Sequence, residues 1–573
     1  MRTVLARAAC LIVCLSVFGL PSLATDAEKP AVVKTIVDLQ QFRSTETNSI
    51  VSVSSRQGKA TLVNLNPDIN AWFLLTLDRG GGDQLNYHIE NADPAGQQLH
   101  LGDTDGTGLA ISNGGRIVKC ALWSDKPSPL DRARASTLPY APLCDGRLYL
   151  RNQVVGHQSD LERVTDFLRD RVWNGDAIVG FVRDNIYRDA FRETGERTEI
   201  PVAAGPPAAG APISAALGQS YSGMAVAPKD LGIAFAAAPG AHLLGLGHWY
   251  PAQDIRGVYV SVIQPEAADP GRHSAPSNLD SVEASALDYL VAFDLSEYDL
   301  GFALGTDHPR LGWSPRVGAP VRDDRPGPDG IAGSGPLVRT GMVAPAVLDR
   351  VVATFTGGFK REHGAFKYGD LAKQNQGSHY GFVEQGVVFS RLQPGLATLY
   401  GVDDGSIQMK TWSEADAPLL AHMKFARQNG VALVEPDATG EPAAGKFVGN
   451  WGFGNWSGSA DEKLRTLRAG ACLQESGNRR FLIYGYFSTA TPSAMARVFL
   501  SYRCRYAMLL DINALEHTYL ALYRRQGDSL AVEHLIPGMS ELDKSVGGRL
   551  IPRFIGFPDN RDFFYVIRRR STR

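Results

Sequence analysis

Four polar side chains, Asp511, Asn513, Glu516 and His517, follow directly on the apolar run 506–510 (YAMLL). Carboxylates beside an imidazole can take a proton from water and give one to a leaving oxygen, the two halves of acid–base hydrolysis. A second polar group lies far away in the chain. The β-rich run 351–356 ends at Thr356 and gives way to Gly357, Gly358, Phe359, Lys360, Arg361 and His363. Glycines after a strand let the backbone approach a ligand, and their N–H groups can cradle an anion. Lys360 would add a point charge, and Arg465, next to Thr466, a bidentate guanidinium. Together these groups could hold an anion and move protons beside it. A plainer reading stands next to it: a Gly–Gly turn, a turn-capping Asp511, and Glu516–His517 as the polar start of a strand over 518–523.

These groups need elements to place them. Residues 481–487 (FLIYGYF) and 506–510 read as strands, with a helix between them. Thr491 caps that helix, Pro492 takes its first position, and Met495, Val498, Phe499 and Tyr502 share one face. A strand–helix–strand unit predicts parallel strands, with polar groups at the carboxyl end of the second facing a crevice. Runs 258–263, 289–293, 300–304, 387–389 and 407–409 add strands to a mixed α/β region over 230–570. Upstream, runs 50–53, 60–63, 72–77, 85–89 and 117–123 are separated by Gly, Asp and Asn clusters, which predicts a β-sandwich. His88 and His100 read there as packing or surface residues. Ser159 to Glu162 has the form of a capping box. It opens a helical hairpin with apolar stripes at Val164, Phe167, Leu168 and Val172, then at Ile178, Phe181, Val182 and Ile186, expected to pack on the sandwich. The Pro/Ala/Gly-rich run 201–217 marks a boundary. The expected division is a signal peptide over 1–24, a β-rich domain with the hairpin over 31–195, a linker over 199–229 and the α/β domain over 230–570.

The totals exclude several classes. The 573 residues carry a net charge of −2, so there is no basic footprint for nucleic acid. Arg2 and Arg7, the apolar run 8–20 and Ser22–Leu23–Ala24 form a secretory signal, and no later run is long enough for a membrane span. A periplasmic or secreted protein is expected. Four cysteines then remain, and Cys120–Cys144 with Cys472–Cys504 is the natural one of three pairings. Asp323, Asp324, Asp329 and Gly330 resemble part of a calcium loop but lack its spacing and closing Glu. The signatures GxSxG, GxxxxGK[ST] and HExxH do not occur. The aromatic, Gly-rich run 450–458 (NWGFGNWSG) suits stacking on sugar rings.

The order of a Gly–Gly–Phe turn, an Arg–Thr pair and a strand–helix–strand unit ending in Asp resembles the phosphodiester glycosidase domain of the uncovering-enzyme type. That family shows NGGFF, RT and DGGGS; Gly357, Gly358 and Phe359, Arg465 and Thr466, and Asp511 stand at the matching positions. Thr356 replaces the family Asn, Lys360 the second Phe, and Ile512–Asn513–Ala514–Leu515 the Gly-rich run. The resemblance covers roughly 235 to 567 and implies an exported hydrolase of a sugar-phosphodiester or related glycosidic linkage. It points to Asp511 as a catalytic group, and by their own chemistry Glu516 and His517 join it as the expected acid and base. Arg465, Thr466, Thr356, Gly357, Gly358, Lys360, His363 and Asn513 would hold a carbohydrate or sugar-phosphate substrate. No cofactor is expected, with a divalent cation left open. The alternative is a non-catalytic glycan-binding or exopolysaccharide-assembly protein on the same domain.

Overall fold

The computed structural model describes residues 31–51, 57–80, 82–102, 107–123, 127–172, 189–199, 210–236, 243–271, 279–366, 369–374, 380–448, 464–527 and 529–570. Residues 32–573 cluster as one unit and 1–31 as another. The signal peptide, the second hairpin stripe, much of the Pro/Ala/Gly-rich run and the aromatic run 450–458 lie outside the described residues. The fold is β-rich α+β, with many sheets and few helices.

Strands form where the sequence alternates. In Trp72–Asp78, Phe73, Leu75 and Leu77 point into one core and Trp72 and Leu74 into another. Successive side chains of a strand leave on opposite faces, so this strand is covered on both. It belongs to a six-stranded antiparallel sheet built from Ser44–Val51, Gln57–Asn64, Trp72–Asp78, Gln84–Asn91, Leu148–Arg151 and Tyr140–Leu143. One face shares a core with the three-stranded sheet Gln98–Leu101, Gly108–Asn113 and Arg116–Ala121, the expected sandwich. The other face joins the main core. Buried Arg151 makes the polar link there, reaching Glu90 at 3.3 Å and Glu384 at 2.5 Å while stacking 3.5 Å over the Trp72 ring.

The main core is built on an eight-stranded antiparallel sheet. At its centre Thr466–Ser476 pairs with Arg479–Ala490 on one side and Cys504–Ile512 on the other. Helix α1, Pro492–Ser501, links the last two. Those strands run parallel, as expected of a crossover, but Thr466–Ser476 lies between them. Thr491 accepts the Ala494 N–H and Pro492 takes the first helical position, as the sequence indicates. Gly470 lets α1 lie close: a Cβ there would stand 2.8 Å from Met495 Cε and 3.1 Å from Phe499 Cε2. Disulfides join Cys120 to Cys144 and Cys472 to Cys504, the pairing expected.

A five-stranded antiparallel sheet places the rest of the site, in the order Tyr298–Ala303, Phe563–Arg568, Val351–Thr356, Leu520–Gln526, Ser529–His534. A second helix used below, α2, spans Asp160–Arg171 and precedes α1 in the chain. Among the described residues, no helix is long and apolar enough to cross a membrane.

Candidate functional site

Three chain segments end at one cleft. Cys504–Ile512 delivers Asp511 and Ile512 and runs into the loop 513–517. Val351–Thr356 ends before Phe359 and Lys360. Arg561 precedes Phe563–Arg568. The fourth wall is α2, from a part of the chain some hundreds of positions upstream. The cavity is about 560 Å³, and Asp511, Asn513, Glu516, His517, Lys360 and His363 all line it.

Its polar groups form one connected cluster. Arg561 Nη1 lies 2.8 Å from Asp511 Oδ2, and Arg561 Nη2 lies 2.9 Å from Glu162 Oε1. Lys360 Nζ reaches the same Glu162 oxygen at 2.8 Å and Asp166 Oδ2 at 3.2 Å. Asn560 Nδ2 donates to the other Glu162 oxygen at 3.1 Å. The Nδ1 of His517 sits 2.6 Å from the Ile512 carbonyl, which fixes Nδ1 as the protonated nitrogen. In the neutral ring Nε2 is then an acceptor, and Arg561 Nη2 donates to it at 2.7 Å. Glu516 Oε1 stands 3.2 Å from Nε2, and its other oxygen accepts from the Ser159 hydroxyl.

Electrostatics sorts the carboxylates. Burial alone would raise the pKa of Glu516. When His517 is instead protonated at both nitrogens, its Nε2–H bond and charge, with Arg561 behind, outweigh burial and hold Glu516 down to about 2. Glu516 is therefore held in its ionised form. Glu162 is likewise buried, and Arg561 and then Lys360 overcome that penalty and hold it far below the carboxylate range. Burial pushes Lys360 down, but Glu162 more than restores its charge.

Other expected site residues stand behind or beside the cleft. The Thr356 hydroxyl donates to the His517 carbonyl at 2.6 Å and so braces the loop. The Thr466 hydroxyl donates to Asn513 Oδ1 at 3.0 Å, and Asn513 holds a left-handed φ of 82° that Asn tolerates. Gly357 and Gly358 do not line the cavity. The Gly357 N–H donates to the Asp562 carbonyl at 2.9 Å, and a Cβ on Gly358 would meet Asn429 at 2.9 Å. They make room for a buried cluster in which Arg427 bonds Asp562 Oδ2 (2.7 Å) and the Phe359 carbonyl (2.7 Å). Asn429 accepts the Phe359 N–H at 3.1 Å and donates to the Leu509 carbonyl at 2.7 Å. Arg465 is committed elsewhere, with Nε and Nη2 on Asp189 at 3.0 and 2.9 Å and Nη1 on Asp280 at 2.8 Å. Of the calcium-like run, Asp329 pairs with Arg361 and Asp323 with Arg325. Among the described residues no group of three metal-ligating side chains is assembled.

Two expectations about α2 are corrected. Ser159 accepts the Glu162 N–H at 3.1 Å, but the Glu162 side chain does not return to close a capping box. It turns inward, because two buried cations offer it far more than one N–H donor. The helix also does not bed its stripe on the sandwich. Val164 and Phe167 are exposed, and the polar face of α2 meets Lys360, Asn560 and Arg561. Glu162, Asn560 and Arg561 are the site residues that sequence reasoning missed.

The arrangement defines a cleft with ionised carboxylates, an imidazole and two buried cations on a β-rich α+β scaffold. No protein-family model matches the sequence, and no curated protein matches it significantly. Among solved structures, the chain is similar to the zebrafish N-acetylglucosamine-1-phosphodiester alpha-N-acetylglucosaminidase catalytic domain auto-inhibited by its pro-peptide. The identity is 12% and the TM-score 0.30, over 56% of this chain and 85% of that one. It is also similar to a hypothetical protein from Synechocystis, at 10% identity and TM-score 0.23, over 91% of this chain and 99% of that one. At such scores neither likeness carries an argument.

Proposed function

We propose that the protein is an exported hydrolase that cleaves a sugar-phosphodiester or related glycosidic linkage in the cleft at Asp511. The observation that carries this reading is the convergence of Asp511 at a strand end, and Glu516 and His517 in the loop that follows it, with Lys360 and Arg561 from two other segments. In the reaction, water attacks the anomeric carbon and the bond from that carbon to the phosphate oxygen breaks. A carboxylate, Glu516 by its ionisation, takes a proton from water. His517 relays a proton to the departing oxygen or to solvent, so a free sugar and a phosphate monoester result. Arg561 and Lys360 offset the charge of the phosphate.

The experiment is a hydrolysis assay on the purified mature protein, with sugar-1-phosphodiesters and aryl glycosides, with and without divalent cations. Wild type is expected to turn over at least one of them. Glu516→Gln is expected to lose about two orders of magnitude or more, in line with removal of an acid–base group, while unfolding at a similar denaturant concentration. Equal rates for wild type and Glu516→Gln would remove the assignment. A second reading has a specific observation behind it. Ile512, Ala514 and Leu515 line the cavity where the resembled family has glycines, so substrate cannot lie against the backbone there. A glycan-binding protein without turnover would show saturable binding and no product with any substrate.

A further inference from the structure

The cleft holds an ion that belongs to the protein itself. Glu162 carries its carboxylate, with a side chain only 5% exposed, between Lys360 Nζ, Arg561 Nη2 and Asn560 Nδ2 at 2.8, 2.9 and 3.1 Å. Two oxygens on one centre, two cations and one amide donor form the contact set that an external carboxylate or phosphate would use. We propose that Lys360, Asn560 and Arg561 form an oxyanion seat for the ligand's acidic group, and that Glu162 fills it until α2 moves aside. This rests on the cleft being the ligand site proposed above, and not on hydrolysis.

Charge supports a displaceable occupant. Among the described lining residues, Arg316, Lys360 and Arg561 face the carboxylates of Glu162, Asp166, Asp511, Glu516 and Glu541. An anion added to that set would meet net repulsion. Withdrawal of α2 takes Glu162 and Asp166 with it and lowers the negative charge at the seat, leaving Asp511, Glu516 and Glu541 on the lining and Asp307 3.6 Å from Lys360 Nζ and 3.4 Å from Asn560 Nδ2. Packing supports it too. A helix of 12 residues is marginal by itself, and α2 gains little from burial, since Leu161, Val164 and Phe167 are 48%, 55% and 61% exposed. Polar contacts anchor it instead: Glu162 on the two cations and Asn560, and Asp166 on Lys360, are ones that a ligand anion would replace, while Ser159 on Glu516 and the His157 backbone on Pro558 and Asn560 tether its start. Glu162 therefore acts as a tethered competitor, and the apparent affinity for a free anion is reduced by the fraction of molecules in which it is seated.

Titration calorimetry with α-D-glucose 1-phosphate, D-glucuronate and methyl α-D-glucoside tests the seat on the full mature chain. Hydrogen exchange of residues 160–171 follows the helix. Glu162→Gln, which keeps the side chain's shape, is expected to bind one or both anions at least tenfold more tightly than wild type and to leave the neutral glycoside unaffected. Preference between phosphate and carboxylate identifies the ligand's acidic group. Anion binding to wild type is expected to speed exchange in α2, and Glu162→Gln to show fast exchange without ligand. Lys360→Met, checked for folding by circular dichroism, is expected to abolish the gain. Weaker or unchanged anion binding in Glu162→Gln would overturn the proposal, and so would slower exchange in α2 on binding, since α2 would then close over the ligand. Absence of anion binding in both proteins would overturn it as well. Anion binding without turnover on any substrate would sink the hydrolase reading and leave the seat standing. Turnover with Glu162→Gln impaired in both rate and affinity would do the reverse.

Discussion

Arg561→Met is expected to destabilise the protein by about 3–5 kcal/mol, the range for removing one member of a buried ion pair. The guanidinium is nearly inaccessible and serves Asp511, Glu162 and His517 at 2.8, 2.9 and 2.7 Å. Without it, Asp511 stays buried with only the His517 imidazole at 3.9 Å and the Ile512 N–H, and Glu162 keeps Lys360 and the Asn560 amide. Those carboxylates would have to protonate or draw in water, and each route costs free energy. The check is urea unfolding of wild type beside Arg561→Met and the double variant Arg561→Met/Glu162→Met. The double variant should recover part of the loss, because one orphaned carboxylate is gone and the sites share a network. A single-variant loss under about 1 kcal/mol would mean the cluster is solvated and loose, as exposed pairs are.

Arg427→Met is expected to cost a similar amount, about 3–5 kcal/mol, and to change the response to acid. Arg427 and Asp562 are both fully buried. Burial would raise the Asp562 pKa; Arg427 first, then His308, outweigh it and depress the carboxyl well below its usual 3.8. A carboxyl depressed in the folded state adds stability that is complete above its unfolded pKa and fades as pH falls through the folded one. Wild type should therefore lose stability steadily below about pH 4. The variant, with Asp562 released from Arg427, should lose less over that window. The same substitution frees the Phe359 carbonyl, so the turn that carries Lys360 should loosen and anion binding should weaken with it. Unfolding curves from pH 7 to pH 2 for both proteins give the answer; parallel pH profiles would refute the linkage.

The strands and the centre of the site were legible because local pattern decides them. Runs 258–263, 481–487 and 506–510 are continuous apolar stretches of strand length, and they lie within Val258–Ile263, Arg479–Ala490 and Cys504–Ile512. The polar residues after the last run had to leave the strand's end together, which is why Asp511, Glu516 and His517 meet. Pairing order was not legible: nothing in a strand–helix–strand pattern reveals that Thr466–Ser476 slots between the two strands. Glu162 was hidden by an adequate local explanation, since S-x-x-E accounts for it as a helix cap. Arg561 had no motif, yet a signal existed. Arg553, Asp559, Arg561 and Asp562 crowd just ahead of the buried strand Phe563–Arg568, and charges so close to an apolar strand are buried only when paired. Arg465 was read as a phosphate ligand on type and order alone. Its partners Asp189 and Asp280 lie far off in sequence, where no spacing rule reaches.

The central claim is that the Asp511 cleft breaks the bond between an anomeric carbon and a phosphate oxygen. Hydrolysis of a sugar-1-phosphodiester in water enriched in oxygen-18, with both products analysed by mass spectrometry, tests it most directly. The account predicts label in the anomeric hydroxyl of the free sugar and none in the phosphate monoester. Label in the phosphate product, or no product at all, would contradict it.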